Sequence, residues 1–270
     1  MHTYAAAVYV FLYGPIALIV LFSFNAGRHA SDFTCCSASW YGRAFNNPFI
    51  MEALANSLII ALVTAVLATL MGTMAALALQ RVRGALRVLF DGLTYTAIII
   101  PGIVIGIATL VALVTVFNVL NPLLDAIWPA ALGTAPRLNL GIGTVIAAHT
   151  LFTMALVIVI VRTRIQGMDR TLIEASSDLY ATPWGTFSQV TLPQIFPAVM
   201  SGFLLSFTFS FDDFVIAFFV AGADTTLPIY VFSSIRRGVT PEINAIASVV
   251  LVISLTLLFT AQALQGRRRR

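Results

Sequence analysis

Six apolar stretches, each about twenty residues or longer, leave this chain few ways to fold. They cover residues 4–24, 53–79, 93–117, 142–161, 196–221 and 243–264. A stretch of that length can cross a bilayer as a helix, which satisfies its backbone polar groups within one segment. Composition agrees: 59% of the 270 residues are hydrophobic and 10% are charged, where a soluble domain is roughly one quarter charged. The expected fold class is all-α, a polytopic membrane protein of six transmembrane helices, with residues 1–270 forming one transmembrane domain. The first stretch is too long for a signal-peptide core and no basic region precedes it, so it is read as a retained helix.

The basic residues give the orientation. All fifteen are arginines. Ten fall on one side (Arg81, Arg83, Arg87, Arg162, Arg164, Arg170 and Arg267 to Arg270) and five on the other (Arg28, Arg43, Arg137, Arg236 and Arg237). The positive-inside bias places the ten, and with them both termini, in the cytoplasm. The terminal arginine run then acts as a topology anchor on acidic lipid, not as a nucleic-acid site. Gly14-Pro15 and Pro101-Gly102 are expected to kink the first and third spans. Cys35 and Cys36 are adjacent in the first external loop and are expected as two free thiols, and no zinc-ligand spacing is present.

Asp212 and Asp213 lie side by side within the fifth apolar stretch. A carboxylate at the bilayer centre costs about 2.5 kcal/mol or more, so the pair is expected to face a wetted path or a polar interior. Such a path suits a cation. Successive residues on a helix are about 100° apart, so the two cannot point the same way. One is expected to face the path, and the other a partner chain or a broken helical turn. The competing reading for each is a cap on a break or a partner for arginine. His149, in the fourth span, is read as a packed, hydrogen-bonded residue.

The longest internal loop, residues 162–197, is too polar to insert and has helical character. Glu174-Ala175-Ser176, Tyr180 and Val190-Thr191-Leu192-Pro193 follow the spacing of the Glu-Ala-Ala loop of ABC-importer permeases, which this segment resembles. Ser176 stands for the second alanine, Val190 for isoleucine and Tyr180 for glycine. With tyrosine in that place, the turn must be either right-handed or strained. The resemblance implies an ATPase-coupling element that includes Glu174, Ala175, Ser176, Asp178, Leu179, Tyr180, Ala181, Pro183 and Gly185. Glu174 would stabilise the loop fold. The chain lacks a G-x-x-x-x-G-K-[ST] loop, so ATP and magnesium would be bound, and ATP hydrolysed, by a separate subunit.

A wider resemblance covers nearly the full length. The segment LSFTFSFDDFVIAFFVAGADTTLPIYVFSSIRRGVTPEINAIAS and the Ser39-Trp40-Tyr41 and Asn46-Asn47 positions resemble permeases of the spermidine/putrescine importer family. The resemblance implies that Trp40, Ser210, Asp212 and Asp213 line a polyamine path. It departs where the family carries an aspartate after the third-span proline, since this chain has Gly102. The same resemblance implies an ATP-binding subunit dimer, a second related permease in a heterodimer, an extracytoplasmic binding protein and a bacterial inner-membrane location. Three alternatives remain: a permease of this fold for an opine, an amino-acid derivative or an iron chelate; a structural membrane subunit; and an intramembrane protease. The last is disfavoured because neighbouring aspartates on one helix cannot share a proton across a gap.

Overall fold

The structure, a computed structural model, describes residues 2–27, 33–129, 133–169, 171–236, 238 and 240–268, with side chains described between residues 4 and 256. Arg28, Arg170, Arg237, Arg269 and Arg270 of the orientation argument lie outside the described residues, as do the side chains of Arg267 and Arg268. The helices are α1 (His2–Phe22), α2 (Ser39–Asn46), α3 (Pro48–Ala78), α4 (Ala85–Ile99), α5 (Gly102–Ile127), α6 (Ile142–Gln166), α7 (Thr171–Asp178), α8 (Pro183–Thr186), α9 (Leu192–Asp212), α10 (Val215–Val220), α11 (Leu227–Ile235) and α12 (Pro241–Arg268). A π-helical turn, Phe187–Thr191, joins α8 to α9. No strand occurs among the described residues. Five helical segments are long and apolar enough to cross a membrane: Tyr4–Phe22, Pro48–Ala78, Gly102–Ile127, Ile142–Gln166 and Pro183–Asp212.

The chain divides into two compact units, 1–54 with 230–270, and 55–229. In the first, α12 packs on α1 and α2. The segment after α1 folds around Asn25. Its side-chain oxygen accepts from the Thr34 backbone N–H at 2.8 Å, and its carbonyl accepts from Trp40 Nε1 at 2.7 Å. Cys35 and Cys36, expected as free thiols, are instead joined to each other by a disulfide.

The second unit is organised by α6, which packs on α4, α5, α9 and α10. On α3, Ala61, Ala65, Ala68, Gly72 and Ala76 form one buried stripe at helical spacing. Small residues let helix backbones approach closely where no hydrophobic effect drives association. A Cβ on Gly72 would lie 2.8 Å from Val157 Cβ of α6, and one on Gly202 of α9 would lie 3.3 Å from Val157 Cγ1. At the opposite end of α6, Asp224 Oδ2 accepts from the Ile142 N–H at 2.8 Å. The Thr144 hydroxyl donates to the Val220 carbonyl at 2.6 Å. At the end of α6 that carries the arginines, Arg162 clasps both carboxylate oxygens of Asp91 on α4.

The two proline sites behave differently. Helix α1 runs through Pro15 unbroken. At Pro101 the chain breaks outright: Ile100 and Pro101 are extended, with ψ 132° and 136°. Proline disfavours the helical conformation in the residue before it, and its own fixed φ suits the start of a new helix. The apolar crossing therefore begins at Gly102 and runs to Ile127, later than the expected 93–117.

Candidate functional site

The fifth apolar stretch does not form one helix. It stops at Asp212 and restarts at Val215, and Asp213 is extended between them, with φ −68° and ψ 119°. A break here frees the first N–H groups of α10, which in an apolar setting need partners. Asp213 supplies them: its Oδ2 accepts from the backbone N–H of Ile216 at 2.8 Å and of Ala217 at 3.1 Å. The negative charge also sits at the positive end of α10. Asp213 is the one of the two at the broken turn, where it caps α10, as the competing reading of the doublet had it.

Asp212 is exposed, on the last residue of α9. Ser210, expected on the path, is buried and hydrogen-bonded to His149 Nδ1 at 2.8 Å. His149 is itself 2% exposed, and its Nε2 stands 3.2 Å from Asp213 Oδ2. That approach is within ion-pair distance but is not aligned as a hydrogen bond. Ser210, His149 and Asp213 therefore meet as a serine–histidine–aspartate group, yet a serine that is 4% exposed offers no face to an attacked carbonyl. Sequence reasoning placed His149 in the core but gave it no link to the doublet. A Cβ on Gly102 would lie 3.9 Å from Val215, the first residue of α10.

Trp40 belongs to the first unit, on α2. It is buried, and the Arg43 guanidinium carbon lies 4.6 Å from its ring centroid. A cation already occupies that aromatic face. Trp40 and Arg43 line an open cleft of about 690 Å³ with Asn46, Asn47, Thr240 and Glu242. Asn47 Nδ2 donates to Glu242 Oε1 at 2.9 Å. Sequence reasoning missed Arg43 as a partner, although the three-residue spacing on a helix carries that signal.

The polar loop of residues 162–197 includes α7, α8 and the π-helical turn, which pack on one another. Asp169 Oδ1 accepts from the Thr171 hydroxyl at 2.8 Å and its N–H at 2.9 Å, which holds the carboxyl below the usual carboxylate range. Glu174 is exposed in the first turn of α7, where the helix dipole favours an acid. Helix α7 ends in a Schellman turn: the Ala181 N–H donates to the Ser176 carbonyl at 3.1 Å, and the Tyr180 N–H to Ser177 at 3.0 Å. This turn needs a left-handed residue, and Tyr180 takes that role with φ 58°. Of the two expected outcomes, the strained one holds. Thr182 caps α8 by accepting from the Gly185 N–H at 3.1 Å, with Pro183 at the first helical position. Ser176 and Thr186 share a 2.8 Å hydrogen bond across the loop. Ala175 and Asp178 are exposed on α7, and Leu179, Tyr180 and Trp184 stand 81%, 96% and 73% exposed, an apolar tip on a polar loop.

Residues 68–270 match the family model for the binding-protein-dependent transport system inner membrane component. The chain is 38% identical over 247 residues to the putrescine transport system permease protein PotI of Escherichia coli K12, covering 90% of this chain and 82% of that protein. It is 36% identical over 256 residues to the spermidine/putrescine transport system permease protein PotC of Haemophilus influenzae, covering 94% and 92%. Among solved structures, a bacterial ABC transporter that imports the acidic polysaccharide alginate matches with a TM-score of 0.72 at 16% identity, over 97% of this chain and 92% of that one.

Proposed function

The chain belongs to the family of inner membrane components of binding-protein-dependent transport systems, and from that premise we propose that it is one permease of an ATP-driven importer for short polyamines. Similar chains carry putrescine and spermidine/putrescine in their names. The observation that carries the reading is the break at the end of α9. Asp213 is engaged by α10, while Asp212 is exposed and free to meet an ammonium group. A charge-assisted contact of this kind suits a cation that must bind and then leave.

The position of Gly102 sharpens the substrate class. It lies beside the start of α10 and brings no carboxylate there. Fewer acidic groups at the break favour a diamine over a more highly charged amine. Trp40, in the first unit, is a separate candidate for the path, and Arg43 covers its ring. The exposed tip formed by Leu179, Tyr180 and Trp184, with Glu174 steadying α7, is the surface for an ATP-binding subunit, which binds ATP and magnesium. Residues 1–270 act as one permease domain, α12 supplies the sixth crossing, both termini are cytoplasmic, and a related permease completes the path.

The test is uptake in proteoliposomes that hold the complete complex. We expect putrescine uptake to fall about tenfold or more in Asp212→Asn, with assembly intact. Unchanged uptake in that variant refutes the cation path. Uptake of an opine or an iron chelate in place of any amine moves the chain to a different solute within the same fold.

A further inference from the structure

We propose that His149 is the positioning residue of the doublet: by bridging Ser210 on α9 and Asp213 at the start of α10, it fixes the break at one geometry and so fixes where Asp212 points. This rests on the reading of Asp212 as the substrate carboxylate, and it adds a residue from a third helix to that site.

The chain of contacts is continuous. Ser210 sits two residues before Asp212 on α9 and is hydrogen-bonded to His149 Nδ1 at 2.8 Å. Across the ring, Nε2 lies 3.2 Å from the Asp213 oxygen that holds the Ile216 and Ala217 N–H groups. The imidazole is thus the rigid spacer between the last turn of α9 and the first turn of α10. Its own backbone is braced, since its carbonyl accepts from Thr153 Oγ1 at 2.7 Å. Nε2 is buried and has no aligned hydrogen-bond partner among the described residues. A buried polar atom in that condition is costly unless its nearest neighbour compensates, and here that neighbour is the Asp213 carboxylate. Without the ring, Asp213 loses its lateral stop, and its hold on the Ile216 and Ala217 amides loosens. The one extended residue of the break, Asp213, is then free to turn, and Asp212 turns with it. Of these four residues, only Asp212 meets the substrate. His149 acts through the backbone.

Three variants in the complete reconstituted complex separate this role from general packing. His149→Leu removes both polar contacts. His149→Gln carries an amide toward the Nε2 position and Asp213, and His149→Asn carries one toward Nδ1 and Ser210. We expect His149→Leu to raise the KM for putrescine uptake about tenfold while kcat changes less than about twofold. In the same complex, amide hydrogen exchange of Val215–Val220 should accelerate about tenfold. His149→Gln should restore both readouts, and His149→Asn neither. Unchanged exchange in His149→Leu overturns the proposal, as does recovery by His149→Asn equal to that by His149→Gln. If His149→Leu fails to assemble, the Gln and Asn pair decides by the same criteria. If the parent complex imports no putrescine, the polyamine reading fails, and hydrogen exchange alone still decides the role of His149.

Discussion

The break between α9 and α10 and the turn after α7 both stop a helix, yet they satisfy the freed backbone in opposite ways. In the apolar stretch, a side chain does it: Asp213 turns its carboxylate onto two amides. In the polar loop, the backbone does it: Tyr180 adopts φ 58° so that the N–H groups of Tyr180 and Ala181 can reach back into α7. Where water is absent, an unpaired amide has no fallback, and a charged group is retained to meet it. Where water is present, a modest conformational strain suffices, and the side chain is left for another task. The first break conceals its chemistry behind one exposed carboxylate. The second displays an apolar tip.

Four variants probe that contrast, from the largest expected effect to the smallest. Asp213→Ala removes the acceptor of two amides and should lower stability by about 2–3 kcal/mol, read as a lower melting temperature of the purified complex. A melt unchanged by that variant would show that the amides find other partners. Asp212→Asn should leave the melt alone and reduce uptake about tenfold, equivalent to about 1.4 kcal/mol. If Asp212→Asn destabilised and Asp213→Ala did not, the assignment of the two roles would be inverted. Leu179→Ser combined with Trp184→Ser should weaken capture of the ATP-binding subunit about fivefold to tenfold, since exposed aromatic and aliphatic anchors carry much of an interface. Full capture would place the contact elsewhere. Tyr180→Gly should stabilise the loop by about 0.5–1 kcal/mol by removing the left-handed penalty, seen as slower amide exchange across Thr171–Asp178. Faster exchange would mean that the phenol ring makes a contact worth more than the strain.

The membrane class, the long apolar segments and the loop spacing were legible because they depend on local periodicity and fixed offsets. The break at Asp213 was legible only as an alternative. Hydropathy registers that a carboxylate is unwelcome in the stretch, but not that the helix itself will open to use it. Pro101 shows the same limit. A proline marks a disturbance, and whether the helix bends, as at Pro15 it need not, or separates depends on what the two sides pack against. Tyr180 was constrained to two outcomes by the glycine spacing, and the Schellman hydrogen bonds select one. The group at Ser210, His149 and Asp213 was out of reach, since sixty-one positions separate the histidine from the serine and no local pattern links them. The Trp40–Arg43 pair was within reach, three residues apart on one short helix.

Val157 carries a mechanical consequence. Two helices approach it through glycines, α3 at Gly72 and α9 at Gly202. Sliding α3 by one turn would bring Ala68 or Ala76 opposite the valine, where even a bare methyl carbon lacks room. On α9 the fit at Gly202 is tight but less strict, since a methyl carbon there would lie 3.3 Å from Val157 Cγ1. The three helices are keyed together at this point like a tongue in two grooves. A transport stroke in this unit must carry them as one piece and take its bend farther along, where α9 gives way to α10.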